Sequence, residues 1–143
     1  MSQIAIGSDH AGYELKEKIK IYFSDNNIEF KDFGPFSDER VDYPDFAHPV
    51  ATSIESKESK LGILICGSGN GINMTANKHQ EIRSALCWQE DIAKMARLHN
   101  NANIIVLPAR YMSKELALKC INIFLNTEFE GGRHEDRVNK IKC

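Results

Sequence analysis

Residues 61–72 read "LGILICGSGNGI": an unbroken apolar run, a cysteine, then glycines at alternate positions 67, 69 and 71. A continuous apolar run, unlike an alternating one, suits a strand covered on both faces, as in a parallel sheet. The glycines lead straight into a helical pattern, "NGINMTANKH". Strand, tight turn and helix in that order are the unit of an α/β fold.

The same unit recurs outward from this point. Further strands are expected at "QIAIGS" (3–8), "IEFKDF" (28–33), "RSALCW" (83–88) and "NIIVLP" (103–108), besides "LGILIC" (61–66). Between them, Leu15, Ile19, Tyr22 and Phe23 form one helical stripe. Ile92, Met95 and Ala96 form another, and Ala117, Cys120, Ile121 and Phe124 a third. The segment "DYPDFAHPVATSIES" supplies one more helix, with Pro44 suited to its first turn. The prediction is a single domain over 1–143, a doubly wound, Rossmann-like α/β/α sandwich with a five-stranded parallel sheet and right-handed crossovers. Outside this alternation lie a polar loop, "GPFSDERVDYPD" (34–45), and a polar tail (127–143) with a helical turn or two.

The composition is that of an ordinary globular chain: 143 residues, 42% apolar, 27% charged, net charge −2. No overall field invites nucleic acid or an acidic membrane surface. No apolar run reaches the roughly 18 residues that span a bilayer. "MSQIAIGSDH" lacks a charged n-region followed by a long apolar stretch, so no secretory leader is expected. Cys66, Cys87, Cys120 and Cys143 show neither CxxC spacing nor paired histidines. Isolated thiols suit a reducing, cytoplasmic setting, with no zinc site.

In doubly wound sheets, ligands sit beyond the carboxyl ends of the strands. "GSDHAG", "CGSGNG" and "LHNNAN" are assigned to that edge. "GSGNG" is not a dinucleotide fingerprint, because Ile72 stands where the last glycine should be, and no Walker lysine follows. Glycines alone are also consistent with a tight turn that binds nothing. Cys66 adds chemistry: at a strand end beside a helix N-terminus, its pKa should fall below the ordinary value of about 8.5, making it a base or nucleophile. Ser68 is placed to orient it. Asp9 and His10 end the first strand, where a plain capping role is the alternative. His99 continues the Ile92 stripe and should point inward, either to a site or into the core. Arg133 and Arg137, at i and i+4, suit a phosphate, although Glu135 and Asp136 offer them a surface ion pair.

Together, "IAIGSDHAGYELK", "DYPDFA", "GILICGSGNGINMTANK", "RSAL", "ARLHNNANII" and "EGGRHEDRV" resemble the type B ribose-5-phosphate isomerases, which share a family with the galactose-6-phosphate isomerase subunits. The resemblance implies interconversion of ribose 5-phosphate and ribulose 5-phosphate without metal or organic cofactor. It makes Cys66 the base between C2 and C1 and His99 the group that opens the sugar ring. Asp9 would hydrogen-bond the sugar hydroxyls and help shuttle protons, Tyr43 would line the same pocket, and Ser68 would orient or activate Cys66. Gly67, Ser68, Gly69, Asn70 and Gly71 would hold developing charge, and Asn100 a hydroxyl or the phosphate. His10, Arg110, Arg133 and Arg137 would gather around the phosphate. Serine at 68 is a mild departure from the common threonine. A branch of the family uses a glutamate after this loop; Ile72 there, with Cys66 present, places this chain with the cysteine branch.

The resemblance also implies a homodimer, or a tetramer of two dimers, with His99, Asn100, Arg110 and the tail arginines crossing to the neighbouring subunit and the tail packing on it. A six-carbon sugar phosphate, a non-catalytic sugar-phosphate binder and a thiol-dependent regulator remain as alternatives. The last is weakened by the absence of a resolving cysteine nearby.

Overall fold

The elements alternate as β1 (Gln3–Ser8), α1 (Tyr13–Asp25), β2 (Phe30–Asp32), α2 (Pro44–Glu55), β3 (Ser59–Cys66), α3 (Asn70–Ala76), β4 (Ser84–Leu86), α4 (Glu90–Leu98) and β5 (Ile104–Pro108). A 3-10 turn (Ala109–Tyr111), α5 (Lys114–Asn126) and α6 (Arg133–Asn139) follow. The computed structural model describes residues 3–143. Its five strands lie in the order β2-β1-β3-β5-β4, all parallel. The expected strands are all present. The two edge strands are trimmed to three residues each, because edge positions pair on one side only.

Strand side chains alternate between faces, and each face is buried by different helices. Ile4, Ile6, Leu61, Ile63, Ile65, Ile105 and Leu107 pack with Leu15, Ile19 and Phe23 of α1 and with residues of α4 and α5. Ala5, Leu64, Cys66, Ile104 and Val106 pack against Ala47, Val50, Ala51 and Ile54 of α2 and Ile72 and Ala76 of α3. Pro44 is the first residue of α2, as its fixed φ favours. Among the described residues no helix is long and apolar enough to cross a membrane.

Two expectations are corrected. The buried face of α4 is Ala93, Ala96 and Arg97, whereas Ile92 is 37% exposed. Of the stripe read from Ile92, Met95 and Ala96 with His99 continuing it, Ala96 is buried as expected, Met95 and His99 are half-buried, and the rest of the inward face is Ala93 and Arg97. "LHNNAN" is not at the carboxyl edge either. α4 returns the chain to the start of β5, where Asn103 O accepts the Gly62 N–H, while Cys66 pairs with Pro108 at the other end. His99 and Cys66 thus sit on opposite edges of the sheet.

A buried ion cluster ties α1 to the β2 edge. Lys16, fully buried, places Nζ 2.8 Å from Asp32 Oδ2 and 2.9 Å from Glu17 Oε2, and Lys20 Nζ lies 2.6 Å from the same Asp32 oxygen. Asp32 also accepts the Gly34 N–H at 2.8 Å, which fixes the start of the loop after β2. Burial alone would raise the Asp32 pKa, but Lys16, Lys20 and the Gly34 N–H together hold it below its ordinary value. A depressed carboxyl contributes stability above its unfolded pKa of about 3.9, and the contribution is lost as pH falls through the folded value. Urea midpoints are expected to drop below about pH 4 and to drop less in Asp32→Asn. At pH 7, Lys16→Ala is expected to cost about 3 kcal/mol, since Asp32 keeps only Lys20 in a buried setting.

Candidate active site

The carboxyl edge of the sheet assembles Cys66, Asp9, His10, Tyr43, the glycine loop with Ser68, and Arg110. Cys66, 5% exposed, ends β3 on the α2–α3 side. Ser8 pairs with Ile65, so Asp9 comes level with Cys66 one strand away, and its N–H donates to Ile65 O at 3.1 Å. The Asp9 carboxylate is buried, and Oδ1 accepts the Gly12 N–H at 3.0 Å. That bond closes the turn into α1, so Asp9 both caps the turn and faces the thiol. Tyr43, at the N-terminus of α2, lays its ring against Gly71, where any β-carbon would collide with it. His10 Nδ1 lies 3.2 Å from both the backbone N and the carbonyl O of Val41, which ties the ring to the loop after β2.

The glycine loop is a cup of donors. Gly69 has φ +80, a left-handed conformation that turns the chain back over the end of β3. The N–H groups of Ile72, Gly69 and Ser68 address the Cys66 sulfur. Even so, the thiol pKa is raised, not lowered as the helix N-terminus suggested. Burial pushes it up and the Asp9 charge adds to this, outweighing the three N–H donors. Ser68 contributes its backbone; its exposed Oγ instead accepts the Asn70 N–H at 3.2 Å in the first turn of α3. Arg110 also reaches this loop from the same chain, contrary to the expected crossing from a neighbour. Its N–H donates to Gly67 O at 3.1 Å, and Nη1 lies 2.8 Å from where a Gly67 β-carbon would be.

The opposite edge assembles the remaining groups. His99 caps the C-terminus of α4, and its ring stacks on His134 of α6, with centroids 4.1 Å apart and planes 15° apart. Sequence reading passed over His134, although it sits between the two tail arginines. Burial, with His99 and Arg133 nearby, pushes the His134 pKa below its ordinary value. Asn100, Arg133 and Arg137 are exposed, and neither arginine forms an ion pair among the described residues. Asn101 takes φ +48 in this turn. Arg97 and Arg83 hold it there: Arg97 Nη1 donates to Asn101 Oδ1 at 3.1 Å and Arg83 Nε to Asn101 O at 2.9 Å.

His99, Glu130 and His134 are the one group of three metal-type donors within 4.8 Å of one another among the described residues. Imidazole lone pairs lie in the ring plane, and two nearly parallel stacked planes do not meet at a common ion. The stacked arrangement does not fit a metal.

A family model described as ribose/galactose isomerase matches residues 4–141. The chain belongs to that family. It is 40% identical to the ribose-5-phosphate isomerase B of Escherichia coli over 99% of this chain and 95% of that protein. It is similar to the ribose 5-phosphate isomerase structure from Thermotoga maritima, with TM-score 0.97 and 52% identity over 99% of this chain and 97% of that one. The Mycoplasma genitalium ribose-5-phosphate isomerase B, solved with bound ribulose-5-phosphate, matches at TM-score 0.91 and 41% identity, covering 97% and 93% of the two chains.

The four thiols are expected to separate by reactivity. Burial pushes Cys87 up to about 12 and Cys120 up to about 11, so both stay protonated and, being buried, unreactive. An alkylating probe with mass-spectrometric readout should label exposed Cys143 first. Cys66 should follow at a rate that is still climbing with pH above about 8.5. Cys87 and Cys120 should react only after unfolding.

Proposed function

We propose that this chain interconverts ribose 5-phosphate and ribulose 5-phosphate through an enediolate, with Cys66 as the base. What carries the reading is the cup around Cys66, set beside Asp9, Tyr43 and His10 at the carboxyl edge of a family-typical sheet. The thiolate takes the C2 proton of the open aldose, a proton moves between the two oxygens, and the thiol returns its proton to C1. Negative charge then passes from sulfur to the enediolate and back. Fixed N–H donors close to both positions stabilise the charge in either place without rearranging. Asp9 is the group placed to carry the oxygen-to-oxygen proton.

The opposite placement of His99 supports a shared site. One chain cannot bring its own His99 to its own Cys66 across the sheet. A strand of five residues spans about 16 Å, and β5 lies between their two edges. A second copy turned end to end supplies His99 for ring opening, Asn100 for a hydroxyl, and Arg133 and Arg137 for the phosphate. Arg110 and His10 complete the phosphate grip from the first copy. The β4 edge is suited to that contact, since Met74, Trp88 and Ile92 around it are 65%, 47% and 37% exposed.

Conversion of ribose 5-phosphate by the purified protein, with a chelator present, tests the reaction. Cys66→Ala is expected to lose at least about 10²–10⁴-fold in kcat/KM with its circular dichroism unchanged. Near-normal turnover in that variant removes Cys66 as the base. Cys66→Ala and His99→Ala, each inactive alone, are expected to recover roughly a quarter of wild-type activity after subunit exchange, because half the dimers then carry one intact site. No recovery in demonstrated heterodimers places both residues in one chain's site.

A further inference from the structure

The turn "EGGRH" delivers one side chain to His99. Two hydrogen bonds tie the segment between α5 and α6 to the end of α4: the Glu130 N–H donates to Leu98 O at 3.0 Å, and Arg97 Nε to Thr127 O at 3.0 Å. Gly131 and Gly132 then take φ of +73 and +57, with open space where each β-carbon would stand. Conformation, not crowding, therefore calls for glycine at both positions. The N–H groups of His134 and Glu135 donate to Gly131 O and Gly132 O, each at 3.2 Å, which starts α6 directly out of the turn. His134 comes to rest buried and flat against the His99 ring, while Arg133 and Arg137 stay exposed.

We propose that His134 is a positioning residue for ring opening, its imidazole face setting the tilt of the His99 ring; this rests on the isomerase reading of His99. The backbone at His99 is already held, since its N–H donates to Met95 O at 2.9 Å and Arg97 and Arg83 grip the Asn101 turn beyond it. Among the described residues, the side-chain hydrogen bonds of this corner go to that turn, to Ala102 O and to Thr127 O, and none to the His99 ring. The outer torsion of a histidine is broad unless something restricts it. A flat neighbour at 4.1 Å between centroids, with planes 15° apart, restricts it by denying the ring room to tilt. Opening a furanose needs an imidazole nitrogen aligned with the sugar oxygens, and a misplacement of about 1 Å can cost about 10²-fold.

The ring face carries this role, not the ring nitrogen. His134 Nε2 is buried without a hydrogen-bond partner, and Glu130 Oε1 stands 3.8 Å away, beyond hydrogen-bonding range. A phenyl ring would keep the flat face and remove an unpaired buried nitrogen, which itself costs stability.

Two reactions separate ring opening from proton transfer. Ribose 5-phosphate is a furanose and must open before it isomerises. Ribulose 5-phosphate cannot close a furanose ring, because its C5 oxygen carries the phosphate. Exchange of its C1 hydrogen in deuterated water, read by NMR, therefore needs Cys66 but not His99. His134→Leu fills the same space without a flat face. It is expected to lose roughly 10–100-fold in kcat on ribose 5-phosphate with KM nearly unchanged, and to keep wild-type C1 exchange. His134→Phe is expected to turn over within about threefold of wild type. Full turnover by His134→Leu, loss of exchange in step with isomerisation, or a phenylalanine variant as impaired as the leucine one each overturns the proposal. If circular dichroism shows His134→Leu unfolded, His134→Phe decides alone: near-normal turnover supports the stack, and impaired turnover overturns it. Failure of the isomerase reading itself is separately visible, because the wild type would then perform neither reaction.

Discussion

Parallel strand direction is the constraint from which the rest of this molecule follows. With all five strands pointing one way, every strand-to-helix turn falls on one edge of the sheet and every helix-to-strand turn on the other. The first edge receives Asp9, Tyr43, Cys66 and the glycine loop. The second receives His99, Asn100 and, through α6, His134 and the tail arginines. Each edge holds part of the candidate site, and the fold keeps one chain from joining its own two parts. The proposed end-to-end association would then follow from sheet polarity.

Electrostatics at Cys66 balance burial against fixed dipoles. A strand-end thiol beside α3 gains three N–H donors, but it is also sealed between α2 and α3 and set next to a buried carboxylate. In this chain the resting thiol is the favoured form. In the proposed reaction the N–H cup is a preorganised site for charge, because it costs no reorganisation when charge moves from sulfur to substrate. A sugar phosphate that displaces water from the site strengthens these interactions further.

Most of the fold was legible from periodicity. Continuous apolar runs at β3 and β5 marked strands covered on both faces, and the stripes of α1 and α5 marked their buried faces correctly. The α4 stripe failed because Ala93 and Arg97 carry the inward face. A small residue and a long charged one give no apolar signal, yet Arg97 is buried where carbonyl and amide oxygens of the Asn101 turn and Thr127 satisfy its guanidinium. The candidate residues at the carboxyl edge were readable because chemistry-bearing side chains there abut glycines at strand ends. The depressed thiol pKa expected at Cys66 was misread, since desolvation depends on what the chain later packs over it.

The amino-acid sequence by itself determined the α/β alternation, the family and the candidate reactive groups, because these rest on local spacing and residue type. Tertiary structure alone decided on which edge each group stands, which face of α4 turns inward and which loop Arg110 covers. It also brought His79 against His48 and Glu55 of α2. Such placements arise from strand order and long-range packing, and a one-dimensional pattern carries no record of them.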